Sequence, residues 1–476
     1  MRPRPQQLQR LERASLSIVY RRLASSQRFV HSSPRRDVSA ASIQSPPSIQ
    51  LLSTSPSRRS VPSSALLGRL PTSTVLRSYL ITRMSSSPAL LGLCFNLLRR
   101  MLDSKSYLMS IEKNPVLSTL LKSTFYAQFC AGETKTEVKA NTASARDVLG
   151  YDGIILEYAL EVLGGTTPTE AEIVQEIEVW RKGMLDSIEV AQEGDFIGLK
   201  WSGLGRQALH LLKNQQEATP EMWSAMTAAC EAAAAKGVSL LPGAEEEATN
   251  IGLEKWNLLL QKMYNKPEHG RAVVYTTYQC YLKGISARLA SHLELAQKGG
   301  YIAGVKLVRG AYLASEPRDL IWETKEGTDK CYDACAEAVL KQQWTSNVAP
   351  SDKNTPFPAV NIVLATHNLP SIKAAQAIRS SQMLSSPPEQ LPRLTYAQLQ
   401  GMADEISQAL VQDEGKKADV QSKVVKCMTF GTVTECLNFL LRRASENKEA
   451  AMRTEDTRRA MGRELWRRLK GTFGLA

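Results

Sequence analysis

Residues 273–308 read VVYTTYQCYLKGISARLASHLELAQKGGYIAGVKLV. The stretch opens with an apolar and β-branched run that ends at Gln279, and a second apolar run spans Gly304 to Val308. Between them, Ile285 to Gln297 carries apolar residues at helical spacing. Two strands joined by a helix indicate a βαβ unit, because parallel strands need a long crossover connection. This stretch therefore predicts a parallel sheet covered by helices.

The same alternation continues on both sides of this unit. Seven or eight β-α units over about 250 residues fit a closed (β/α)8 barrel better than an open, doubly wound sheet. No GxGxxG follows the first candidate strand, which disfavours a dinucleotide-binding sheet. We predict an α/β protein with a TIM-like barrel. Its other candidate strands are Phe196–Trp201, Val238–Leu241, Val360–Ala365, Tyr396–Leu399 and Val424–Thr429.

The N-terminal segment has a composition of its own. Residues 1–83 contain fourteen Arg, no Lys and only two acids, whereas the remaining Lys and Arg balance the remaining Asp and Glu. An Arg- and Ser-rich, acid-poor segment is typical of a mitochondrial transit peptide. We assign 1–85 to a transit peptide and disordered segment, 86–190 to a helical N-terminal region and 191–476 to the barrel. The balanced remainder has no basic surplus for phosphates, so nucleic-acid binding is not expected.

Membrane spans and metal sites are not expected either. No run reaches the roughly 18 apolar residues that a spanning helix needs. The eight Cys and five His are dispersed, without a CxxC pair or another metal-ligand spacing. Cys331 and Cys335 lie four residues apart on a predicted helix, and we expect them to be reduced and buried.

Polar residues follow the candidate strands at their C-terminal ends, where a barrel holds its active site. Any one of them has a simpler structural explanation, such as a lysine that reaches out to water. Five at the same end of the barrel predict a functional site. They are Lys200, Gln279, Arg309, His367 and Gln398.

A pair of arginines lies near the C-terminus. Arg442 and Arg443 precede Glu446 by four and three residues, which brings the three side chains onto one face of a helix. Thr432 and Glu435 form a capping box that starts this helix. A solvated charged face is one interpretation; a guanidinium clamp for a small carboxylate is the other.

Six motifs, in order across residues 194–447, resemble those of the proline dehydrogenase family, especially its fungal mitochondrial form. They are Thr277–Leu282 (TYQCYL), Lys306–Tyr312 (KLVRGAY), Thr324–Asp329 (TKEGTD), Ala365–Asn368 (ATHN), Leu399–Met402 (LQGM) and Leu441–Asn447 (LRRASEN). The resemblance implies a distorted (β/α)8 barrel that holds FAD at the C-terminal ends of its strands, with the helical region before it.

The resemblance also implies roles for individual residues. Arg442, Arg443 and Lys200 would hold a substrate carboxylate, with Glu446 orienting the arginines. Tyr312 and Leu399 would pack on the substrate ring. The implied contacts to FAD are Gln279, Lys306, Arg309, Gly310, Ala311, Lys325, Ala365, Thr366, His367 and Asn368.

Two positions depart from the family pattern. Gly243 stands where an aspartate is expected, and Glu245 or Glu246 is a possible substitute for the missing carboxylate. Cys427 stands where the family usually has a tyrosine over the substrate ring, and relatives that act on 4-hydroxyproline are similar in carrying a smaller residue there.

The resulting prediction is a mitochondrial FAD-dependent enzyme at the matrix side of the inner membrane. It would oxidise L-proline to 1-pyrroline-5-carboxylate and pass electrons to a membrane quinone through a peripheral membrane contact. One alternative is a dehydrogenase of hydroxyproline or another cyclic imino acid. The other is an inactive flavin-binding paralogue with a regulatory role.

Overall fold

Eight parallel strands dominate the computed structural model of the protein. It describes residues 66–474 except 105, 112, 159, 161, 163 and 447–453, and the side chains of 445 and 446 also lie outside the description. The transit-peptide prediction falls largely on 1–65, outside the described residues. The strands are β1 (Gly153–Tyr158), β2 (Phe196–Leu199), β3 (Ser239–Pro242), β4 (Thr276–Gln279), β5 (Ala303–Val308), β6 (Val360–Ala365), β7 (Leu394–Leu399) and β8 (Ser422–Phe430).

Helices connect the strands and flank the sheet at both ends of the chain. In the described residues the α-helices are α1 (Thr72–Ser85), α2 (Pro88–Asp103), α3 (Pro115–Leu121), α4 (Ala127–Phe129), α5 (Lys135–Asp147), α6 (Glu170–Val190), α7 (Arg206–Lys213), α8 (Pro220–Lys236), α9 (Glu247–Tyr264), α10 (Ile285–Gly299), α11 (Lys325–Lys341), α12 (Leu369–Ser385), α13 (Asp404–Gln412), α14 (Glu414–Ala418), α15 (Val433–Glu446) and α16 (Glu455–Thr472).

The strands run in the order β3-β2-β1-β8-β7-β6-β5-β4. One residue of β3 closes the ring: the Leu240 N–H donates to the Val273 carbonyl at 2.6 Å, and the Tyr275 N–H donates to the Leu240 carbonyl at 3.0 Å. The result is a nearly closed barrel with helices around it, which confirms the predicted (β/α)8 class.

The sequence prediction placed the start of the barrel too late in the chain. Strand β1 lies inside the region 86–190 that we predicted to be helical, and it pairs with both β2 and β8. Ile154 to Leu156 are buried on both faces of the strand. A short apolar run without alternation does not show its period, so helix and strand cannot be distinguished by pattern alone.

The N-terminal boundary at 85 also needs correction. Helix α1 lies within the segment predicted to be disordered, and it packs along α16. Leu67, Leu70 and Val75 bury their side chains with Met461. The Ser/Thr-rich helix is stabilised by this contact with the other end of the chain rather than by its own composition.

The following helices and the π-helical turn Lys122–Tyr126 cover α15. Leu98 and Met101 of α2 belong to the same buried cluster as Leu437 and Leu441 of α15. The Tyr126 hydroxyl donates to the carbonyl of Gly431, just before that helix, at 2.8 Å. The N-terminal region thus holds the double-arginine helix against the barrel.

Candidate active site

Alternation along the strands decides which side chains point into the barrel mouth. Inward-facing core residues include Ile155, Leu241, Val363 and Val425. Because side chains on one face recur every second residue, the next inward positions toward the C-terminal ends carry the site. These positions are Glu157, Gly243, Ala365 and Cys427, and the same end of the sheet carries Lys200, Gln279, Lys306 and Leu399.

One hydroxyl group joins three separate parts of the site. The Tyr312 hydroxyl accepts from the Lys200 ammonium at 3.1 Å and from the Arg443 guanidinium at 3.2 Å. It lies 3.2 Å from the carbonyl oxygen of Ala244, to which it donates. The structure therefore brings together the first candidate lysine, the tyrosine after β5 and one of the paired arginines. Two cations beside one hydroxyl group form a positively charged part of the mouth that suits an anion.

Helix α15 begins at the predicted capping box and carries the arginine pair. The Glu435 N–H donates to the Thr432 hydroxyl at 3.2 Å, and the Glu435 carboxylate accepts from the Thr432 N–H at 2.9 Å, which completes the capping box. Arg442 and Arg443 are half-buried, and the Arg443 guanidinium carbon lies 5.5 Å from the centre of the Phe439 ring. The Glu446 side chain lies outside the described part of the chain, so its role stays a prediction.

Arg309 is the centre of a second network. Its guanidinium donates to the Asp329 carboxylate at 2.8 Å, to the Ser371 hydroxyl at 2.8 Å and to the Thr366 hydroxyl. It also stacks 4.4 Å above the centre of the buried Tyr332 ring. This arginine connects the ends of β5 and β6 with the first turns of α11 and α12. Sequence reasoning missed Asp329 and Ser371 as its partners, because they come together only in the fold.

Two helices start beside this network. Lys325 is the first residue of α11, next to the N-cap Thr324, and it pairs with Asp329 one turn later. The Asn368 side chain caps α12 by accepting from the Ser371 N–H at 3.1 Å. The first N–H groups of a helix and its dipole favour anions. Two such ends beside Arg309 and Lys325 form a cationic corner suited to a phosphate group.

His367 is held neutral between the strand ends. Its Nε2 accepts from the Leu399 N–H at 3.0 Å, which places the ring proton on Nδ1. Burial, together with the charges of Lys426 and Arg309, lowers the pKa of His367 to about 3. The neutral ring therefore serves as a hydrogen-bond acceptor for the β7 loop and retains one N–H donor.

Further polar groups at the mouth are consistent with a flavin dinucleotide. The half-buried Lys306 ammonium forms no hydrogen bond or ion pair with the described residues, and the buried Gln279 amide donates to the Glu245 carbonyl at 2.8 Å. Ala311 and Ala365 leave space because their side chains are small. An uncompensated interior cation, small residues and a cationic corner fit the dinucleotide's planar ring and pyrophosphate.

Gly310 has a packing role that the sequence could not show. Its φ is +132°, and a Cβ atom at this position would lie 2.1 Å from the Tyr281 ring. Only glycine lets the chain turn after β5 while Tyr281 remains beneath it.

The two departures from the family pattern lie at the mouth, beside Lys200 and Glu157. The Cys427 thiol is 3.6 Å from the Glu157 carboxylate, and burial, followed by that charge, raises the pKa of the thiol. A Cβ atom at Gly243 would meet only the Leu199 carbonyl at 3.4 Å and Lys200 Cγ at 3.9 Å, so a side chain fits there. Glu246 is exposed, whereas Glu245 is buried with an Oε1 that has no partner among the described residues.

A buried ion pair supports the loop that carries Leu399. Lys426 is fully buried, pairs with Asp404 at 2.8 Å and donates to the Met402 carbonyl at 2.8 Å. Leu399 itself is 49% exposed, an uncovered apolar side chain at the mouth. Sequence reasoning missed Lys426, because a lysine inside a strand pattern gives no signal that it is buried.

The chain is similar to a known protein family and to several named proteins. The model of the family described as "Proline dehydrogenase" matches residues 144–456. Hydroxyproline dehydrogenase of Mus musculus is 27% identical over 453 residues, which cover 84% of this chain and 92% of that protein. The probable mitochondrial proline dehydrogenase of Schizosaccharomyces pombe is 31% identical over 270 residues, which cover 52% of this chain and 50% of that protein.

Solved structures share the fold. Proline utilization A (PutA) from Bdellovibrio bacteriovorus superposes with a TM-score of 0.57 at 17% identity, covering 81% of this chain and 42% of that one. The chain thus spans less than half of the PutA structure it matches. The family model, in contrast, covers most of the present chain, including every predicted site residue. The chain therefore belongs to the proline dehydrogenase family.

Proposed function

We propose that the protein is a mitochondrial FAD-dependent dehydrogenase that oxidises L-proline to 1-pyrroline-5-carboxylate. The observation that carries the proposal is the meeting of Lys200 and Arg443 on the Tyr312 hydroxyl, at a mouth where the apolar side chain of Leu399 is uncovered. A small cyclic amino acid has a carboxylate for the cations and an apolar ring for Leu399 and Tyr312. The relatives named as mitochondrial proline dehydrogenases support both the reaction and the location.

The chain's own residues would bind and orient the substrate. Lys200, Arg442 and Arg443 hold the carboxylate, which fixes the ring above the barrel mouth. Tyr312 keeps Lys200 and Arg443 in place before the substrate arrives, so little order has to be created on binding. Leu399 covers the ring and excludes water from its reacting C–H bond.

The cofactor half would hold the dinucleotide at the ends of β4, β5 and β6. Lys325 and the starts of α11 and α12 face the pyrophosphate, while Gln279, Lys306 and His367 face the ring system. Bound FAD supplies the acceptor for the hydride that leaves the substrate carbon, and the substrate nitrogen releases a proton. Lys306 would place its positive charge beside the electron-rich ring system of the cofactor.

A second candidate is the oxidation of 4-hydroxyproline. Cys427 favours it, because a cysteine leaves more room over the substrate ring than the tyrosine usual in the family. The Glu157 carboxylate, 3.6 Å from the thiol, would accept a hydrogen bond from a ring hydroxyl. The similarity to hydroxyproline dehydrogenases over most of the chain supports this candidate with comparable weight.

The electron acceptor we propose is a membrane quinone, reached through a peripheral contact. None of the described helices is long and apolar enough to cross a bilayer. Helix α2, however, exposes Leu90, Leu93 and Leu97 along one face, and Val116 and Leu120 of α3 are also exposed. An amphipathic helix with such a face lies in the plane of a membrane surface. A Leu93→Glu, Leu97→Glu variant should lose sedimentation with anionic vesicles while Leu384→Glu, at another exposed leucine, keeps it.

The first test of the function uses the purified full-length protein. Its visible spectrum is recorded without oxygen, before and after addition of L-proline, trans-4-hydroxy-L-proline or L-alanine. We expect a bound flavin whose absorbance bleaches with proline and not with alanine, which has the carboxylate but no ring.

The other outcomes separate the alternatives. Faster bleaching by hydroxyproline than by proline would make the second candidate the function. A flavin spectrum that neither imino acid changes would identify an inactive, flavin-binding paralogue. Folded protein without flavin would contradict the proposed cofactor site.

A further inference from the structure

Three buried cysteines from distant parts of the chain come together outside the active site. Cys280 follows β4, and Cys331 and Cys335 lie one turn apart on α11. Their Sγ atoms all lie within 4.8 Å of one another. Exposure is 0% for Cys280, 7% for Cys331 and 0% for Cys335. The spacing of these residues in the sequence gave no sign of the cluster, because Cys280 is about fifty positions from the other two.

The separation of the sulfurs suits a single metal ion. Zinc binds thiolate sulfur at about 2.3 Å in tetrahedral sites, so two of its ligands lie roughly 3.8 Å apart. A shift of about 1 Å, within reach of small side-chain rotations, brings the three sulfurs to that distance. Ser286 of α10 lies on the same side, with its hydroxyl 3.5 Å from the sulfurs of both Cys331 and Cys335. Its oxygen, or a water beside it, would complete four-coordination.

Two buried donors beside the cluster lack hydrogen-bond partners. Trp322 lies next to Cys331, and its buried Nε1 makes no hydrogen bond of normal geometry with the described residues. The hydroxyl of Tyr332, which follows Cys331 on α11, is likewise buried and unpaired among them. Buried polar groups are normally satisfied, and such exceptions point to a missing ion or water. Metal-bound thiolates accept hydrogen bonds from surrounding donors, which would use both groups.

We propose that Cys280, Cys331 and Cys335 bind one zinc ion with their sulfurs. Sulfur ligands select soft cations such as zinc and copper(I) over magnesium or calcium. Three thiolates leave a net charge of −1 around zinc and −2 around copper(I), and the smaller buried charge is less costly. Each thiol loses its proton to solvent on binding, so no oxidant or reductant is needed.

The ion would fasten α11 to the end of β4. Lys325 and Asp329, which face the cationic corner, lie in the first turns of the same helix. A metal two turns further along would keep this end of α11 in place relative to Gln279, the last residue of β4. The inference stands independently of which imino acid the enzyme uses.

The test is the metal content of the reduced full-length protein, measured by mass spectrometry after incubation with zinc and removal of the excess. We expect about one zinc per chain, lost in Cys335→Ser and kept in Cys230→Ser. Cys230 is the matched control, because it is also fully buried but lies on α8 outside the cluster. Zinc that stays in Cys335→Ser, or no zinc in the unmodified protein, would overturn the proposal.

A second measurement covers the case in which Cys335→Ser does not fold. X-ray absorption at the zinc edge of the unmodified protein should give three sulfur neighbours at about 2.3 Å and one lighter neighbour. Two or fewer sulfurs, or copper in place of zinc, would contradict the assignment. Formation of a disulfide among the three cysteines under the same reducing conditions would contradict it as well.

Discussion

The two halves of the barrel mouth, one proposed for the cofactor and one for the substrate, are built differently. In the cofactor half, the Arg309 guanidinium contacts Asp329, Ser371 and Thr366 at the same time, and a ring stacks beneath it. In the substrate half, Lys200 and Arg443 both donate to the hydroxyl of Tyr312. The first half is centred on one cation that contacts several acceptors, whereas the second is centred on one hydroxyl group that two cations contact.

This contrast follows from the demands on each half. A large cofactor that stays bound needs walls that hold their shape, and a charged group with several partners is costly to displace. A substrate that enters and leaves would instead exchange with the partners of its binding groups at each turnover. The substrate half also contains both departures from the family pattern, Gly243 and Cys427. Changes that alter substrate choice can accumulate there without loosening the cofactor site.

The largest effect is expected from Arg443→Met. Removing one guanidinium of the clamp should raise KM for the imino acid roughly 100-fold, because a charged group loses its paired contact. Flavin content should not change, since the Arg309 network remains. Titration of the flavin bleaching with substrate measures the change in KM, and the visible spectrum measures the flavin content. Arg459→Met, in an exposed ion pair on α16, is the control. Loss of flavin in Arg443→Met would show that the two halves of the mouth are not independent.

Arg309→Met should have the opposite signature. We expect flavin affinity to fall by about tenfold or more. Asp329 would lose one of its two cations, and the ends of β5 and β6 would lose the donor that connects them. The fraction that retains flavin should keep its KM for substrate. Lys325→Met should have a smaller effect, because Arg309 still holds Asp329. Fluorescence of released flavin during dilution gives the flavin affinity of both variants. An unchanged flavin affinity in Arg309→Met would show that the network does not serve the cofactor.

Cys427→Tyr tests the adaptability of the substrate half. A tyrosine should fill the space beside Glu157 and raise the preference for proline over hydroxyproline by about tenfold, since one poorly fitting group costs 1–3 kcal/mol. The ratio of kcat/KM for the two substrates is the measurement. An unchanged ratio would show that position 427 does not face the substrate ring. Cys436→Ser, at a buried cysteine away from the mouth, is the control.

The smallest effect concerns His367 and acid. Its pKa is about 3 in the folded chain against an ordinary value of 6.5, so the unfolded chain binds a proton first as the pH falls. The neutral ring contributes fully to the free energy of unfolding above pH 6.5. Below that pH the contribution is lost, by about 1 kcal/mol at pH 5.5. Denaturant titration of the unmodified protein and of His367→Gln at pH 7.5 and 5.5 should show this difference. Equal acid sensitivity would mean that the ring is not held neutral.

Local patterns in the sequence determined much of the fold. The apolar runs at Val360–Ala365 and Val424–Thr429 and the capping box before Val433 are signals carried by neighbouring residues, and the structure confirms them. Strand β1 was missed because its short apolar run, Ile154 to Leu156, has no visible period, although the turn signal Asp152-Gly153 stands at its start. Helix α1 was missed because its stability comes from α16, nearly 400 residues away.

The sequence also predicted which residues would form the site, since the polar side chains at strand ends share one face of any barrel. Only the tertiary structure decided their partners. Lys200 meets Arg443 at Tyr312, Arg309 contacts Ser371, and Cys280 lies near Cys335. The residues of each group are separated in the sequence by at least one helix and one strand. Sequence spacing reports on groups within a turn or a strand, whereas hydrogen bonds and metal ligation depend on distances that the packing of helices on strands establishes.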